Sequence, residues 1–278
     1  MKKLKTAAIK VLGKLHVAVV FLFLYLPILV VVAFSFNTSK VNIVFQGFTL
    51  EWYGRIAGNT RLIAAFQNTL VVALCSMVIS VVVGTLGAIG LHKYKFRGKA
   101  IIDILMYIPV VIPEIILGIA LLAIFAIAHL PLGIFTLIIA HATFCIPFVV
   151  FTVRARLNGF DPSIEEAAMD LGANRVRTLF EILLPSIMPG VMSGALLSLT
   201  LSMDDVIISF FTTGPQSTTL PMQIYSMVRS GVSPDVNALS TLILLGTIIM
   251  VVLTQSGIVR NIGKKFKIRE KIGAEVRG

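Results

Sequence analysis

The sequence has 278 residues, of which 57% are hydrophobic and only 13% are charged, and this composition excludes an ordinary water-soluble domain. A formal net charge of +11 would suit nucleic acid if the basic residues shared one soluble face, but they fall mainly between and beyond apolar runs. The chain is therefore predicted to be an integral membrane protein, with a single membrane domain over residues 1–278 and no nucleic-acid partner.

Six apolar stretches are long enough, at about 1.5 Å per residue, to cross a hydrocarbon core of about 30 Å. The first follows several lysines, as the core of a signal peptide does, but it is longer than such a core and lacks a clear cleavage site, so we expect it to be retained. The pattern predicts an all-α, polytopic fold with transmembrane helices over residues 15–36, 62–91, 101–128, 132–153, 186–211 and 236–259.

The polar loop after the first span carries Trp52 and Tyr53. Such aromatic residues are typical of the belt that forms at a membrane–water interface, and we favour that role for them. A contact with a partner protein is the alternative.

The second span carries a ridge of small residues at four-residue spacing, which allows another helix to pack closely and predicts an interior helix. The ridge consists of Ser76, Ser80, Gly84 and Ala88. In the third span, Pro109 and Pro113 precede Glu114 and predict a kink. The carbonyl groups freed by a kink are tolerated in a membrane only where protein or a wet cavity surrounds them.

Residues 161–185 interrupt the apolar pattern with an amphipathic helix-turn-helix elbow. Asp161 and Pro162 give a start signal for a first helix, and Gly172 supplies a left-handed exit. We expect Pro185 to end the second helix. The apolar faces predicted from helical spacing are Ile164, Ala167, Ala168 and Leu171 in the first helix and Val176, Leu179, Phe180 and Leu183 in the second. Such a surface suits a docking partner, and a hairpin lying on lipid is the alternative.

The order Glu166-Ala167-Ala168, Gly172, Ile182 and Leu184-Pro185 resembles, with matching spacing, the EAA loop of permease subunits of binding-protein-dependent ABC importers. The resemblance implies a type I importer permease fold with the elbow between the fourth and fifth spans. It also implies that the elbow is a cytoplasmic coupling helix seated on an ATPase subunit. The coupling residues implied in this way are Glu166, Ala167, Ala168, Asp170, Leu171 and Gly172.

Three carboxylates lie in the middle-to-outer half of the predicted membrane domain: Glu114 in the third span and Asp204 and Asp205 in the fifth. An isolated carboxylate there costs on the order of 3 kcal/mol, so each should face the protein interior or a wet cavity. A flexible cation with several ammonium groups would meet a counter-charge at each of them. The sequence thus predicts Glu114, Asp204 and Asp205 as substrate-binding residues, with a purely structural role as the alternative.

The positions of most basic residues indicate how the chain is oriented in the membrane. Twenty of the 24 Lys and Arg precede the first span, separate the second from the third, surround the elbow or follow the last span; the others are Lys40, Arg55, Arg61 and Arg229. The positive-inside rule then places both termini and the elbow in the cytoplasm of a multi-pass protein of the bacterial inner membrane.

No nucleotide-binding P-loop is present in the sequence. We therefore expect a non-catalytic chain that holds no cofactor, with ATP bound by a partner ATPase. The two cysteines, Cys75 and Cys145, lie in apolar spans without ligand spacing, and the four histidines are scattered, so no metal site is predicted.

Within the importer family, residues 93–99, 201–205, 213–215 and 225–238 are similar to polyamine permeases for spermidine and putrescine. The resemblance implies a small cationic substrate, and as partners a second homologous permease, an ATP-binding subunit dimer and an external solute-binding protein. One alternative keeps the family with another solute, such as ferric ion or thiamine. A second is an ion-coupled secondary transporter, although no inverted repeat is visible. A membrane scaffold without a transport role would leave the carboxylates unexplained.

Overall fold

The computed structural model describes residues 2–39, 44–229, 234–249 and 252. Within these ranges the chain is helical, with no strand beyond an isolated antiparallel bridge between Asn37 and Phe48. The all-α prediction is thus confirmed for the described residues. The helices are α1 (Lys2–Phe34), α2 (Glu51–Ala57), α3 (Thr60–Lys93), α4 (Lys99–Val111), α5 (Glu114–Ile127), α6 (Ile134–Leu157), α7 (Ser163–Asp170), α8 (Arg175–Thr178), α9 (Leu184–Asp204), α10 (Ile207–Thr212), α11 (Leu220–Arg229) and α12 (Pro234–Ile249), and a π-helical turn (Leu179–Leu183) joins α8 to α9.

Four continuous helices in the described part of the chain are long and apolar enough to cross a membrane, and each overlaps a predicted span. They are Leu12–Phe34, Thr60–Lys93, Ile134–Leu157 and Arg175–Asp204. A fifth span results if α4 and α5 are counted together. α12 covers the first part of the predicted sixth span, and the remainder of 236–259 lies outside the described residues, so a total of six spans stays a prediction.

α4 and α5 form a broken element where the sequence predicted one kinked helix over 101–128. The two helices are bent by 114° at Ile112 and Pro113, whose backbone is extended. Pro113 has no N–H to donate, and the residue before a proline is disfavoured in helical conformation. Both effects act at the same point, so Pro113 separates two helices instead of kinking one.

The chain divides into two compact units, one of residues Thr60–Ser226 and one of Met1–Asn59 with Met227–Gly278. In the unit Thr60–Ser226, α3, α6 and α9 pack together, and α10 packs on α5. The small-residue ridge of α3 is buried, which confirms its predicted interior position; its members are Ser76, Ser80, Gly84 and Ala88.

Two glycines mark the closest approach of these helices. A Cβ added to Gly84 of α3 would lie 2.8 Å from Cβ of Val149 in α6, and one added to Gly194 of α9 would lie 2.6 Å from Oγ1 of Thr152. Side chains are absent where the backbones meet, as is usual in membrane helix packing.

In the other unit, the loop after α1 folds around Trp52. Its side chain is 4% exposed, and its Nε1–H donates to the backbone oxygen of Asn37 at 2.7 Å. The Asn37 side chain in turn donates to the oxygen of Val44 and accepts from the N–H of Gln46. The interfacial role favoured for Trp52 is therefore wrong, since the polar end of its ring is satisfied inside the loop.

Candidate functional site

The elbow starts as its sequence predicts. The Asp161 carboxylate accepts a hydrogen bond from the backbone N–H of Ser163 at 3.0 Å, and so satisfies one of the free donors at the start of α7. This bond favours the ionised carboxylate and holds the pKa of Asp161 below its usual value.

The exit from α7 also matches the prediction. Gly172 has φ +92°, in the left-handed region that favours glycine. The N–H of Gly172 donates to Met169 and that of Ala173 donates to Ala168, at 2.9 and 3.0 Å. This pair of bonds caps the free carbonyls of the helix end and turns the chain sharply.

The second elbow helix continues into the membrane domain. Asn174 caps α8 by accepting from the N–H of Arg177 at 2.8 Å, and the helix then runs through the π-helical turn into α9. Pro185 lies in the first turn of α9, directly after the turn in which the N–H of Leu184 bonds to Leu179. A wider π turn gives room for a ring that would otherwise crowd the preceding carbonyls. The prediction that Pro185 ends the helix is wrong for this reason.

The elbow presents an apolar surface outward. α7 buries none of its residues, and Leu171 is 90% exposed. Val176 and Phe180 are also exposed, whereas Leu183 is fully buried, so the predicted apolar faces divide between the outside and the core. Of the predicted coupling residues, Ala168 is half-buried and the others are exposed: Glu166, Ala167, Asp170, Leu171 and Gly172. An exposed apolar cluster with polar neighbours is typical of a protein-docking surface.

The three predicted substrate-binding carboxylates lie at two helix breaks. Glu114 is the first residue of α5, Asp204 is the last of α9, and Asp205 lies between α9 and α10. The breaks are brought together because α10 packs on α5, where Phe211 fits against Gly118 so closely that a Cβ there would lie 2.6 Å from its ring. Glu114 consequently interacts electrostatically with both aspartates.

The three carboxylates differ in how far they are exposed. Glu114 and Asp204 are exposed on the unit, whereas Asp205 is 8% exposed. The oxygens of the Asp205 carboxylate accept from the backbone N–H groups of Ile208 and Ser209, at 3.1 and 2.7 Å. Asp205 thus caps α10 and stabilises the break.

The ring of His141, in α6, packs beside the buried carboxylate of Asp205. Its ring is 2% exposed, and Nε2 lies 3.0 Å from Oγ of Ser209 and 3.4 Å from Oδ2 of Asp205. Nδ1 lies 2.7 Å from Oγ of Ser202, which accepts from the hydroxyl of Ser76 at 3.2 Å. The network joins α3, α6, α9 and α10 at the break and ends on a carboxylate, which can only accept when ionised.

Sequence reasoning missed His141, although a signal was available. His141 falls well inside the predicted span 132–153, and a polar ring in an apolar run needs a partner. Two ion pairs were missed as well, because their members are distant in sequence. Asp103 of α4 pairs with Arg154 of α6 at 2.6 Å, and Lys93 of α3 pairs with Glu165 of α7 at 2.5 Å.

The acidic site defined by Glu114, Asp204 and Asp205 suits binding of a cation. α4 and α9 both end at the breaks, and the carbonyl end of a helix carries partial negative charge. Asp205 is compensated by its donors, which leaves Glu114 and Asp204 as the exposed carboxylates. Among the residues that the structure describes, no group of three or more His, Cys, Asp or Glu is placed to hold a metal ion.

Comparison with protein families matches residues 80–265 to the binding-protein-dependent transport system inner membrane component. The chain is 44% identical to the spermidine/putrescine transport system permease protein PotC of Escherichia coli strain K12, over 85% of this chain and 89% of that protein. It is 43% identical to the putrescine transport system permease protein PotI of the same strain, over 81% and 82% of the two chains.

Among solved structures, the fold is similar to a chain of a bacterial alginate ABC transporter in complex with an alginate pentasaccharide-bound periplasmic protein. The TM-score is 0.69, and the likeness covers 91% of this chain and 94% of that chain. At 18% sequence identity this likeness concerns the fold alone.

Proposed function

The chain belongs to the family of binding-protein-dependent transport system inner membrane components, and from this membership we propose that it forms half of the translocation path of an ATP-driven polyamine importer. The assignment of a polyamine as the solute rests on the 44% identity to PotC over 85% of the chain. Spermidine and putrescine are flexible cations, and the exposed carboxylates at the paired helix breaks suit such a solute.

In this proposal Glu114 and Asp204 meet the ammonium groups directly. A charged amine loses hydration as it enters the membrane domain, and a carboxylate at the point of entry offsets that loss. Asp205 belongs to the same acidic site but contributes its charge from a buried position, while its hydrogen bonds hold the α9–α10 break.

The chain itself performs no chemistry in this scheme. A partner ATPase dimer binds ATP, a second homologous permease completes the path, and an external binding protein delivers the solute. The elbow contacts the ATPase through the six predicted coupling residues, which are Glu166, Ala167, Ala168, Asp170, Leu171 and Gly172. Support comes from the family of the chain and from the exposed apolar surface around Leu171.

We place both termini and the elbow in the cytoplasm, because twenty of the 24 basic residues then lie on that side. A reporter fused after Gly278 is expected to be cytoplasmic, and a cysteine introduced at Thr49 is expected to react with an impermeant reagent added outside. The reverse labelling would place the elbow where no ATPase could reach it.

The solute is tested in cells that lack polyamine import and express this chain with its partner subunits. Uptake of labelled spermidine and putrescine should appear and should resist an excess of thiamine or ferric ion. Competition by either of these would favour the alternative solute in the same family. Uptake that persists with an inactivated ATPase and follows an ion gradient would instead favour a secondary transporter.

A further inference from the structure

The adjacent glutamates of α7 face in different directions. The side chain of Glu165 is 15% exposed, and its Oε2 lies 2.5 Å from Nζ of Lys93. Glu166 is exposed and belongs to the surface assigned above to the ATPase. One glutamate therefore contacts the membrane domain while the next remains available to a partner.

Packing contributes little to holding α7 in place. The helix has eight residues, none of them buried, and the space around Gly172 at its exit is open. A helix this short is not stable without tertiary contacts. The Lys93–Glu165 ion pair supplies a contact to a long helix where burial of α7 itself is slight.

Lys93 lies on the same helix, α3, that also contacts the end of α9 next to the acidic site. It is the last residue of α3, where the carbonyl end of the helix favours a cation. Seventeen residues earlier on α3, roughly 26 Å along a straight helix, Ser76 donates to Ser202, two residues before Asp204. Because α3 is packed against α6 and α9, one helix contacts both the elbow, through Lys93, and the end of α9 that leads into the acidic site, through Ser76.

From this geometry we propose that the Lys93–Glu165 ion pair positions the coupling helix on α3 and transmits its displacement to the acidic site. The inference rests on the proposed coupling role of the elbow. Lys93 and Glu165 are positioning residues, since neither contacts the acidic site or belongs to the surface assigned to the ATPase. Breaking the pair should lower the number of solute molecules moved per ATP hydrolysed, and should leave assembly intact.

Charge exchange tests the pair in the complete importer, reconstituted with its partner permease, ATPase dimer and binding protein. Lys93→Glu and Glu165→Lys each place like charges opposite one another and should lower solute transported per ATP by about fivefold. The combined Lys93→Glu, Glu165→Lys variant restores the attraction and should recover about the wild-type ratio. Lys95→Glu, the same charge change two residues away and outside the pair, should keep the wild-type ratio.

A wild-type ratio in both single variants would overturn the proposal, and so would a combined variant no better than either single one. If a single charge-exchange variant does not assemble, solute transported per ATP is measured in Lys93→Arg and Lys93→Gln instead. The arginine variant should keep the wild-type number of solute molecules per ATP, and the glutamine variant should lower it. Equal values for the two variants would contradict the role of the ion pair. The importer assignment has a separate test in the wild-type complex, where it fails if loaded binding protein does not stimulate ATP hydrolysis.

Discussion

Asp204 and Asp205 show how far the environments of neighbouring residues can differ. One carboxylate is exposed at the end of α9, and the other is buried against two backbone donors and His141. Their sequence positions indicate only that two charges lie in an apolar span. The break in the helix separates their roles, because it turns one side chain outward and the other into the core.

Neutralising the exposed carboxylates should reduce transport without harming the fold. Glu114→Gln and Asp204→Asn are each expected to lower polyamine uptake by about tenfold, since each removes a counter-charge from a poorly hydrated path. Asp205→Asn should instead lower the stability of the protein by about 1 kcal/mol, the usual cost of weakening a helix cap. Uptake at matched expression and thermal unfolding in detergent separate the two effects.

Glu51→Gln is the control for these variants, because it removes an exposed carboxylate at the start of α2, away from the acidic site. Its uptake should equal that of the wild type. Wild-type uptake in Glu114→Gln, Asp204→Asn and the combined variant would remove these residues from the pathway.

His141 should be required for stability. His141→Ala removes the ring nitrogens that contact Ser202, Ser209 and Asp205 inside the protein, and the loss of a buried hydrogen-bond partner costs about 1–3 kcal/mol. The expected result is a clearly lower unfolding temperature in detergent. Thr143→Val, which removes a hydroxyl bonded only within α6, should change it little. Equal unfolding temperatures for the two variants would show that the network contributes no stability.

At the scale of elements, Gly172 controls the geometry of the elbow. With φ +92° and open space around it, a side chain at this position meets a backbone penalty and no clash. Gly172→Val should cost roughly 1–2 kcal/mol at the exit and lower coupled transport, whereas Gly172→Asn should be tolerated because asparagine adopts this conformation more readily. Transport at the wild-type rate in an assembled Gly172→Val importer would contradict the coupling role.

Helix packing offers a matched pair of glycines on α3. A Cβ at Gly84 would lie 2.8 Å from Val149, whereas one at Gly90 would meet nothing within 4 Å. Gly84→Leu should therefore destabilise the protein by about 1–3 kcal/mol through overpacking, and Gly90→Leu should have little effect. Unfolding temperatures of the two variants check this, and equal values would mean that α3 and α6 do not meet at Gly84.

The sequence was most informative where one local cause decides the structure. The start at Asp161, the exit at Gly172 and the buried ridge of α3 each follow from a single residue type or period, and all three are observed. The outcome at a proline depends on what surrounds it. Pro113 separates two helices, whereas Pro185 is accommodated by a π turn, and spacing alone does not distinguish the two cases.

The acidic site shows the same limit of prediction. Its carboxylates could be selected from sequence because charges in apolar spans are rare. Their division into exposed and buried members, the role of His141 and the Lys93–Glu165 pair depend on contacts between distant segments, which no local pattern contains.

At the scale of the whole molecule, the fold does not determine the charge of the solute. A structure of similar fold, at 18% identity, belongs to a transporter involved in the import of the acidic polysaccharide alginate, while two relatives above 40% identity are polyamine permeases. The fold alone therefore does not assign the solute, and any contribution of this chain to specificity lies in its side chains. We propose that the carboxylates at the helix breaks contribute to the selection of a cation.

Uptake into proteoliposomes that contain this chain with its second permease and ATPase dimer tests the polyamine importer assignment most directly. Labelled spermidine or putrescine should accumulate only when ATP is supplied on the ATPase side and loaded binding protein on the other, and omission of this chain should abolish it. Accumulation without ATP that follows a proton or sodium gradient, or no accumulation of either polyamine by the assembled complex, would contradict the assignment.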